Sequence, residues 1–225
     1  MPYLSRTHQL KFSLLYHIFG RGNDRKETFL DAEDYRCFIN LLIDYSKKHN
    51  FCIYHWVLMP NHYHLLLEIG LPEKISSIMS GLARSYVYYH HKKYQTSGHL
   101  WQGRFKSQPI QKEMYLLSCG RYIERNPVKA GLISLAEDYP YSSAAYYVFG
   151  KEDGLTVESP LFADIFGVQK EQRRDKYKEF LRAFSSEEEG WFENLESPQG
   201  SGEFLKRLTR DKGLLLPKRR GRVRN

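Results

Sequence analysis

The chain has 225 residues, of which 41% are hydrophobic and 27% are charged. This balance is typical of one folded domain with a main core, and it argues against a disordered or a membrane-embedded chain. Lys and Arg number 34 against 26 Asp and Glu, which gives a net charge of +8 at pH 7. The leading expectation is therefore a polyanionic partner, either nucleic acid or an anionic membrane surface.

The charge is distributed unevenly along the chain. Residues 1–131 carry 18 basic and 10 acidic side chains, residues 132–205 carry 7 and 15, and residues 206–225 carry 9 and 1. The 3 cysteines are scattered without CxxC spacing, so they indicate neither a disulfide framework nor a zinc knuckle. We recognise no signal peptide and no apolar run long enough to span a membrane, and we expect a cytoplasmic protein.

The first part of the chain predicts a strand followed by a helix. Residues 12–19 are rich in Phe, Leu, Tyr and Ile, and the turn-forming residues 20–24 end this strand. Asp31 predicts the N-cap of the helix, because an Asp side chain accepts hydrogen bonds from the first backbone N–H groups of a helix. The apolar residues of this helix recur at helical spacing and share one face; they are Tyr35, Phe38, Leu41, Leu42 and Tyr45.

The middle of the chain predicts a hairpin, a second helix and a fourth strand. Residues 51–59 and 62–69 are two β-rich runs joined by a Pro-Asn pair, which favours a tight turn. Residues 75–94 have the pattern of an amphipathic helix, and residues 104–110 have that of a strand.

A third helix is predicted over residues 114–125, and we expect Pro127 to stop it, because proline disfavours helical geometry at the residue before it. The order is therefore β, α, β, β, α, β, α. Up to the fourth strand, this order is the split βαβ, ferredoxin-like arrangement of an α+β fold. In that fold the helices lie on one face of an antiparallel sheet and leave the other face available.

Two histidines stand out on the predicted third strand. His62 and His64 are separated by one residue, so both imidazoles lie on the same face of the sheet. Two neutral imidazoles on one face can share a divalent cation. However, HxH spacing arises by chance in a chain with 9 histidines. On spacing alone we favour two polar residues on a solvent-facing strand.

Tyr122 and Asn126 lie four residues apart near the end of the third helix, on adjacent turns of one face. If that face opposes the sheet, Asn126 offers a carbonyl oxygen to the same cation and Tyr122 places its phenol beside it. Alternatively, Asn126 caps the helix and Tyr122 is a core aromatic residue. Residue propensity alone favours the alternative.

Three stretches of the chain carry a resemblance to a known family. They are MPNHYHLLL at residues 59–67, GHLWQGRFKS at residues 98–107 and RYIERNPVKAGL at residues 121–132. In this order and spacing they resemble the REP-associated tyrosine transposases of bacteria, which belong to the single-tyrosine HUH transposase superfamily. The resemblance covers residues 10–145. It implies a single-strand DNA endonuclease and strand transferase that acts on hairpin-forming DNA through a 5′-phosphotyrosine intermediate.

The resemblance implies a role for each of four residues. His62 and His64 match the histidines that hold the metal, Tyr122 matches the nucleophile, and Asn126 matches the polar residue that completes the coordination. Imidazole and amide ligands together suit Mg²⁺ or Mn²⁺, although histidine ligands alone would also bind Zn²⁺. Such an ion is useful because a tyrosine phenol is protonated at neutral pH and because the scissile phosphate gains charge during the reaction.

Other features of the sequence bear on this assignment. Tyr115 lies on a similar helical face and is the main rival nucleophile, but no amide residue follows it four positions later. Relatives often have His or another polar residue where this chain has Glu124, and Arg where it has Lys129. Lysine keeps the positive charge but loses the bidentate geometry of arginine.

Basic and aromatic side chains provide the expected DNA contacts, through phosphate groups and stacked bases respectively. Taken one at a time, each is more typical of an ordinary surface side chain. The predicted DNA-binding residues are Arg84, Trp101, Arg104, Phe105, Lys106, Arg121, Arg125 and Lys129. We expect single-stranded or hairpin DNA as the partner and no membrane. The resemblance favours a monomer, with a dimer as the alternative, located in the cytoplasm with the nucleoid.

The charge pattern and the resemblance divide the chain into three parts. We expect a catalytic domain over residues 1–145, an acidic helical extension over residues 146–205 and a basic, disordered tail over residues 206–225. One hypothesis is that the tail folds back on the extension, or occupies the DNA groove, and restrains activity. Three rival functions stay open: binding hairpin DNA without cutting it, hydrolysis by a phosphodiesterase, and binding of an anionic membrane through the tail.

Overall fold

The computed structural model describes residues 15–70, 74–183, 186–193 and 198–206. Its centre is a four-stranded antiparallel sheet with the spatial order β2-β3-β1-β4. This order confirms the predicted ferredoxin-like α+β fold. The strands are β1 (Leu15–Arg21), β2 (Phe51–Met59), β3 (His62–Ile69) and β4 (Lys106–Ile110). Residues 12–14 of the predicted first strand and residues 207–225 of the predicted tail lie outside the described part of the chain.

Seven α-helices of six or more residues accompany the sheet within the described residues, together with a shorter helical segment at residues 202–206. None of them combines the length and the apolar character that crossing a membrane requires. The helices are α1 (Ala32–His49), α2 (Ile75–Tyr94), α3 (Lys112–Lys129), α4 (Ala144–Phe149), α5 (Pro160–Phe166), α6 (Lys170–Arg182) and α7 (Ser186–Glu193). Helices α5, α6 and α7 lie within residues 146–205, the predicted extension, and α4 begins two residues before it.

Helix α1 begins at the residue predicted from the sequence. The Asp31 carboxylate accepts hydrogen bonds from the backbone N–H groups of Glu33 and Asp34, at 2.9 and 3.1 Å. The Asp34 carboxylate in turn accepts from the N–H of Asp31, which completes a capping box. The Lys93 ammonium of α2 lies 2.8 Å from Asp31 and 3.0 Å from Asp34. The cap of α1 is therefore also a contact to α2.

The two faces of the sheet are covered by different helices. Strand periodicity sends Tyr16 and Ile18 of β1 toward α1 and α2, whereas Leu15 and His17 point toward α3. The two helices of the ferredoxin-like unit thus lie together on one face, as predicted. Helix α3 packs on the opposite face, which is the face that carries His62 and His64.

The prediction that Pro127 stops α3 is wrong, because the helix continues to Lys129. Proline has no N–H group to donate to the carbonyl oxygen of Ile123, four residues earlier. The side chain of Asn126 provides a substitute, since its Nδ2 lies 3.2 Å from that oxygen and 2.8 Å from the carbonyl oxygen of Tyr122. The helix therefore tolerates the proline. It ends near Gly131, whose positive φ of 71° is readily adopted by glycine.

A buried carboxylate joins the extension to α3. Glu124 accepts hydrogen bonds from the hydroxyl groups of Ser143 and Tyr177, at 2.6 and 2.7 Å, and lies 2.8 Å from Nδ1 of His55. Glu124, His55, Ser143 and Tyr177 are all completely buried. This cluster connects β2, α3, α6 and the residue before α4. It crosses the predicted domain boundary at residue 145, which stays a prediction.

Segments that follow α3 in the chain also lie along both edges of the sheet. Beside β2, the N–H of Leu58 donates to the carbonyl oxygen of Tyr141, and the N–H of Val157 donates to that of Ile53, both at 2.9 Å. Beside β4, the N–H of Gln199 donates to the carbonyl oxygen of Pro109 at 3.0 Å. The segments around residues 141, 157 and 199 therefore bond to the main chain of the two outer strands.

Candidate active site

A polar pocket of about 590 Å³ lies between the sheet and the C-terminal half of α3. Its lining brings together His62, His64, Tyr122 and Asn126, the four residues that the sequence connected. Strand β3 places the two histidines on the α3 face, and the helical period of α3 turns Tyr122 and Asn126 toward them. The interpretation of the histidines as solvent-facing polar residues is therefore wrong for His64, which is only 3% exposed.

The aromatic rings of the pocket are close to one another. The ring centroids of His62 and His64 are 5.3 Å apart, and those of His64 and Tyr122 are 5.8 Å apart. Tyr122 meets His64 nearly perpendicularly, at an interplanar angle of 90°. On its other side Tyr122 contacts Phe192 of α7, with 5.6 Å between the centroids. The candidate nucleophile is therefore held between the histidines and the extension.

Each histidine of the pair makes a hydrogen bond through Nδ1. Nδ1 of His62 lies 2.6 Å from Oδ1 of Asn61, and Nδ1 of His64 lies 2.7 Å from Nε2 of His17. His17 is completely buried in β1 and stacks on His64 with 5.0 Å between the centroids. These bonds leave Nε2 as the nitrogen with which either histidine of the pair can bind a cation.

Burial keeps the histidines uncharged at neutral pH. It lowers the pKa of His17 to about 4 and that of His62 to about 4, in the second case with a further contribution from the nearby Arg21 guanidinium. Burial also holds the pKa of His64 well below its ordinary value. Because a neutral imidazole has a lone pair, His62 and His64 are in the form that binds a metal ion.

The donor set fits a divalent cation. The amide nitrogen of Asn126 is bonded to backbone carbonyl oxygens of α3, so its side-chain oxygen is the atom left to act as a ligand. In the described part of the chain, no group of three or more His, Cys, Asp or Glu residues could hold a metal ion. A cation bound by His62 and His64 therefore needs a ligand of another type, and Asn126 lines the same pocket.

Basic side chains surround the pocket. Of the predicted DNA-binding residues, Arg104 and Lys106 line it and are exposed. Lys129 is exposed, pairs with the Glu193 carboxylate and lies 6.0 Å from the centroid of the Tyr122 ring. Arg21 also lines the pocket, 5.0 Å above the Phe19 ring, although the sequence analysis did not single it out.

A second cavity, of about 470 Å³, adjoins the first along Gly20, Arg21 and Arg104. Its lining includes three further predicted DNA-binding residues, Arg84, Trp101 and Phe105. Trp101 is half-buried and packs against the core aromatic cluster. Its role in stacking on DNA bases stays a prediction.

Two of the predicted DNA contacts point elsewhere. The Arg121 guanidinium lies 4.1 Å above the Phe180 ring and donates to the carbonyl oxygen of Phe180 at 3.1 Å. Arg125 donates to the carbonyl oxygen of Leu181 at 3.3 Å. Both residues therefore support the docking of α6 on α3 and do not line the pocket. Sequence periodicity predicts the same helical face for these arginines and for Lys129. It could not show that α6 covers the arginines, because the position of α6 depends on tertiary packing.

The chain is similar to known proteins both in sequence and in fold. The family model described as "Transposase IS200 like" matches residues 10–126. A Haemophilus influenzae protein, named as a candidate REP-associated tyrosine transposase, is 31% identical over 99 residues, which cover 38% of this chain and 54% of that relative. The chain thus spans about half the length of this curated relative.

Two solved structures are also similar. One is a REP-associated tyrosine transposase bound to a REP hairpin, with a TM-score of 0.54, 21% identity, and coverage of 71% of this chain and 93% of the other. At this identity the likeness shows a shared fold. The second, a candidate transposase from Deinococcus radiodurans, has a TM-score of 0.37 at 20% identity and covers 56% of this chain and 94% of the other, which is too distant to carry an argument.

Proposed function

The chain belongs to the IS200-like transposase family, and on that basis we propose that it is a REP-associated tyrosine transposase. The proposed activity is site-specific nicking of single-stranded DNA followed by strand transfer. The proposed substrate is DNA that folds into a hairpin, the type of ligand bound to the structurally similar transposase. The observation that carries this proposal is the meeting of Tyr122, His62, His64 and Asn126 in one pocket with a basic rim.

Tyr122 is the proposed nucleophile. Its phenolic oxygen attacks the scissile phosphorus and gives up its proton, while the bond from phosphorus to the 3′ oxygen breaks. The 3′ oxygen leaves with a proton from solvent, which yields a free 3′-hydroxyl and a 5′-phosphate joined to Tyr122. Because one phosphoester replaces another, attack by a second 3′-hydroxyl can rejoin strands without ATP.

His62, His64 and Asn126 would hold the divalent cation, Mg²⁺ or Mn²⁺. When bound, the ion would polarise the scissile phosphate and neutralise the charge that develops on it. The chain itself supplies two neutral imidazoles, whose pKa values are lowered by burial, and one oriented amide oxygen.

The basic rim supports DNA binding beside the nucleophile. Arg104 and Lys106 line the pocket, which supports a role for them in contacting phosphates of the bound strand, and Arg84 and Phe105 line the adjoining cavity. All four site residues belong to the same pocket of one chain, which supports an active site completed within a monomer.

A covalent-adduct assay tests the proposal. Labelled single-stranded hairpin DNA is mixed with protein and Mn²⁺ and then separated on a denaturing gel. We expect an adduct with the wild type and with Tyr115→Phe, the matched control, and none with Tyr122→Phe or His64→Ala. An adduct that persists in Tyr122→Phe would reject the nucleophile. Cleavage that survives in Tyr122→Phe would favour a phosphodiesterase, and hairpin binding without cleavage by the wild type would favour a DNA-binding protein.

A further inference from the structure

Two amide side chains next to the candidate metal ligands are oriented by the backbone. Nδ2 of Asn61 donates to the carbonyl oxygen of Arg25 at 2.9 Å, and Nε2 of Gln108 donates to the carbonyl oxygen of Trp191 at 3.3 Å. A backbone carbonyl oxygen can only accept hydrogen bonds, so the amide nitrogen must face it. The amide oxygen of each side chain must then face the other way, and in both cases a histidine lies there.

Asn61 sets the protonation pattern of His62. The Asn61 oxygen lies 2.6 Å from Nδ1 of His62, and an amide oxygen only accepts, so Nδ1 must carry the proton. A neutral imidazole has one N–H group. The lone pair of His62 is therefore on Nε2.

Gln108 sets the pattern of His64 through an intermediate residue. The Gln108 oxygen lies 3.4 Å from Nδ1 of His17, which places the proton of His17 on Nδ1 and leaves its Nε2 as an acceptor. Nε2 of His17 lies 2.7 Å from Nδ1 of His64, which must therefore donate. The lone pair of His64 is again on Nε2.

We infer that Asn61, His17 and Gln108 are positioning residues that hold both His62 and His64 in the Nδ1–H tautomer. This tautomer directs both Nε2 lone pairs to one divalent cation, and in this respect the inference rests on the proposed function. The other tautomer of His64 would carry its proton on Nε2 and accept at Nδ1, so neither nitrogen could bind a metal ion. Two separate series of hydrogen bonds therefore fix the same tautomer in His62 and in His64.

The hydrogen bonds among Gln108, His17 and His64 are held in place by burial and by strand pairing. His17 and Gln108 are completely buried and sit directly opposite each other in the β1–β4 pairing. The carbonyl group of Trp191 lies in the last turn of α7, where helical carbonyl groups have no partner within the helix. The extension therefore supplies the first acceptor, the Trp191 carbonyl oxygen, in the series of hydrogen bonds that runs through Gln108 and His17 to His64.

Nitrogen-15 NMR of the metal-free, 225-residue chain at pH 8 tests the inference directly. Two-bond couplings distinguish the Nδ1–H from the Nε2–H tautomer, and His62→Ala and His64→Ala variants assign the signals. We expect the Nδ1–H tautomer for both residues in the wild type. We expect His17→Leu to shift only His64 toward Nε2–H, and Asn61→Ala to shift only His62, so each variant is the control for the other.

Mn²⁺ titration provides a second measurement that does not depend on DNA cleavage. Loss of a group that orients a metal ligand costs about 10- to 100-fold in metal affinity, and we expect that loss for His17→Leu and Asn61→Ala. His17→Gln should keep most of the affinity, because its amide oxygen can still accept from His64. If His17→Leu does not fold, Gln108→Leu replaces it, with the same direction of change expected.

Two results would overturn the inference. One is a wild-type His64 with its proton on Nε2, and the other is an unchanged tautomer and unchanged Mn²⁺ affinity in folded His17→Leu and Asn61→Ala variants. A wild type with both Nδ1–H tautomers but no Mn²⁺ binding would support the positioning roles and reject the metal site of the proposed function. The two hypotheses can therefore fail separately.

Discussion

The two faces of the sheet are both buried but are built differently. The face toward α1 and α2 is packed with aliphatic and aromatic side chains such as Ile18, Leu65 and Phe38. The face toward α3 mixes apolar residues with the buried polar side chains of His17, His64 and Gln108. Burying apolar side chains stabilises the first face in proportion to the apolar area removed from water, whereas buried polar groups cost free energy unless they are hydrogen-bonded. The first face therefore stabilises the fold through its buried apolar area, whereas the second depends on the hydrogen bonds of its buried polar side chains.

The largest expected effect separates the two faces. Phe38→Ala removes a completely buried ring from the apolar face, so the free energy of unfolding should fall by about 3–5 kcal/mol. The folded fraction should still form the covalent DNA adduct at low temperature. Tyr122→Phe on the polar face should change stability by no more than about 1 kcal/mol and abolish the adduct. Urea denaturation together with the adduct assay checks both, and an equal loss of stability in the two variants would contradict the comparison.

Acid should lower the free energy of unfolding through the buried histidines of the polar face. The pKa of His17 is lowered by burial from 6.5 to about 4, so between these values the unfolded chain binds a proton that the folded chain does not. The contribution of neutral His17 to the free energy of unfolding is thus fully present above pH 6.5, and it is lost as the pH falls toward 4. For this one residue, the loss from pH 7 to pH 5 should be about 2 kcal/mol.

His17→Leu should reduce this acid sensitivity by the same amount, as measured by urea unfolding at the two pH values. Arg36→Leu, a change at an exposed position of α1, is the control and should leave the pH dependence unchanged. An acid sensitivity that is identical in His17→Leu and in the wild type would show that other groups are responsible.

A smaller effect concerns the basic rim. Arg104→Ala removes an exposed cation that lines both cavities, so single-stranded DNA should bind several-fold more weakly at low salt. The slope of log affinity against log salt should fall by about 0.7, the value for one phosphate contact. Lys47→Ala, at an exposed position of α1, should leave the slope unchanged. Fluorescence anisotropy at several salt concentrations measures these slopes, and a slope for Arg104→Ala equal to that of the wild type would exclude Arg104 from the interface.

The smallest effect is expected at the rim where α7 meets α3. Lys129 and Glu193 form an exposed ion pair, with side chains 44% and 56% accessible. Glu193→Gln should therefore change stability by less than about 1 kcal/mol. It also removes a negative charge from the pocket lining, so DNA should bind slightly more tightly at low salt. Anisotropy and urea unfolding of the same preparation would show whether affinity changes without stability.

The sequence predicted the fold because hydrophobic periodicity is a local property. The apolar spacing of α1 and the Asp31 cap required only neighbouring residues, and both are confirmed. Pro127 was misjudged because the substitute donor is the side chain of Asn126, whose orientation depends on the formed helix. The meeting of His62, His64 and Tyr122 followed from motif resemblance. The contributions of His17, Gln108 and Arg21 did not, since they depend on strand pairing and on packing between distant parts of the chain.

The outer strands of the sheet have a further consequence for the behaviour of the protein in solution. An exposed strand edge presents unpaired N–H and C=O groups that can recruit another polypeptide and start aggregation. Here segments around Tyr141, Val157 and Gln199 already bond to the main chain of β2 and β4. A protein shortened before residue 141 would expose both edges at once. We therefore expect such a truncated chain to self-associate through its strands. In the longer chain, the segments that cover the two edges should prevent this association and keep the protein in solution.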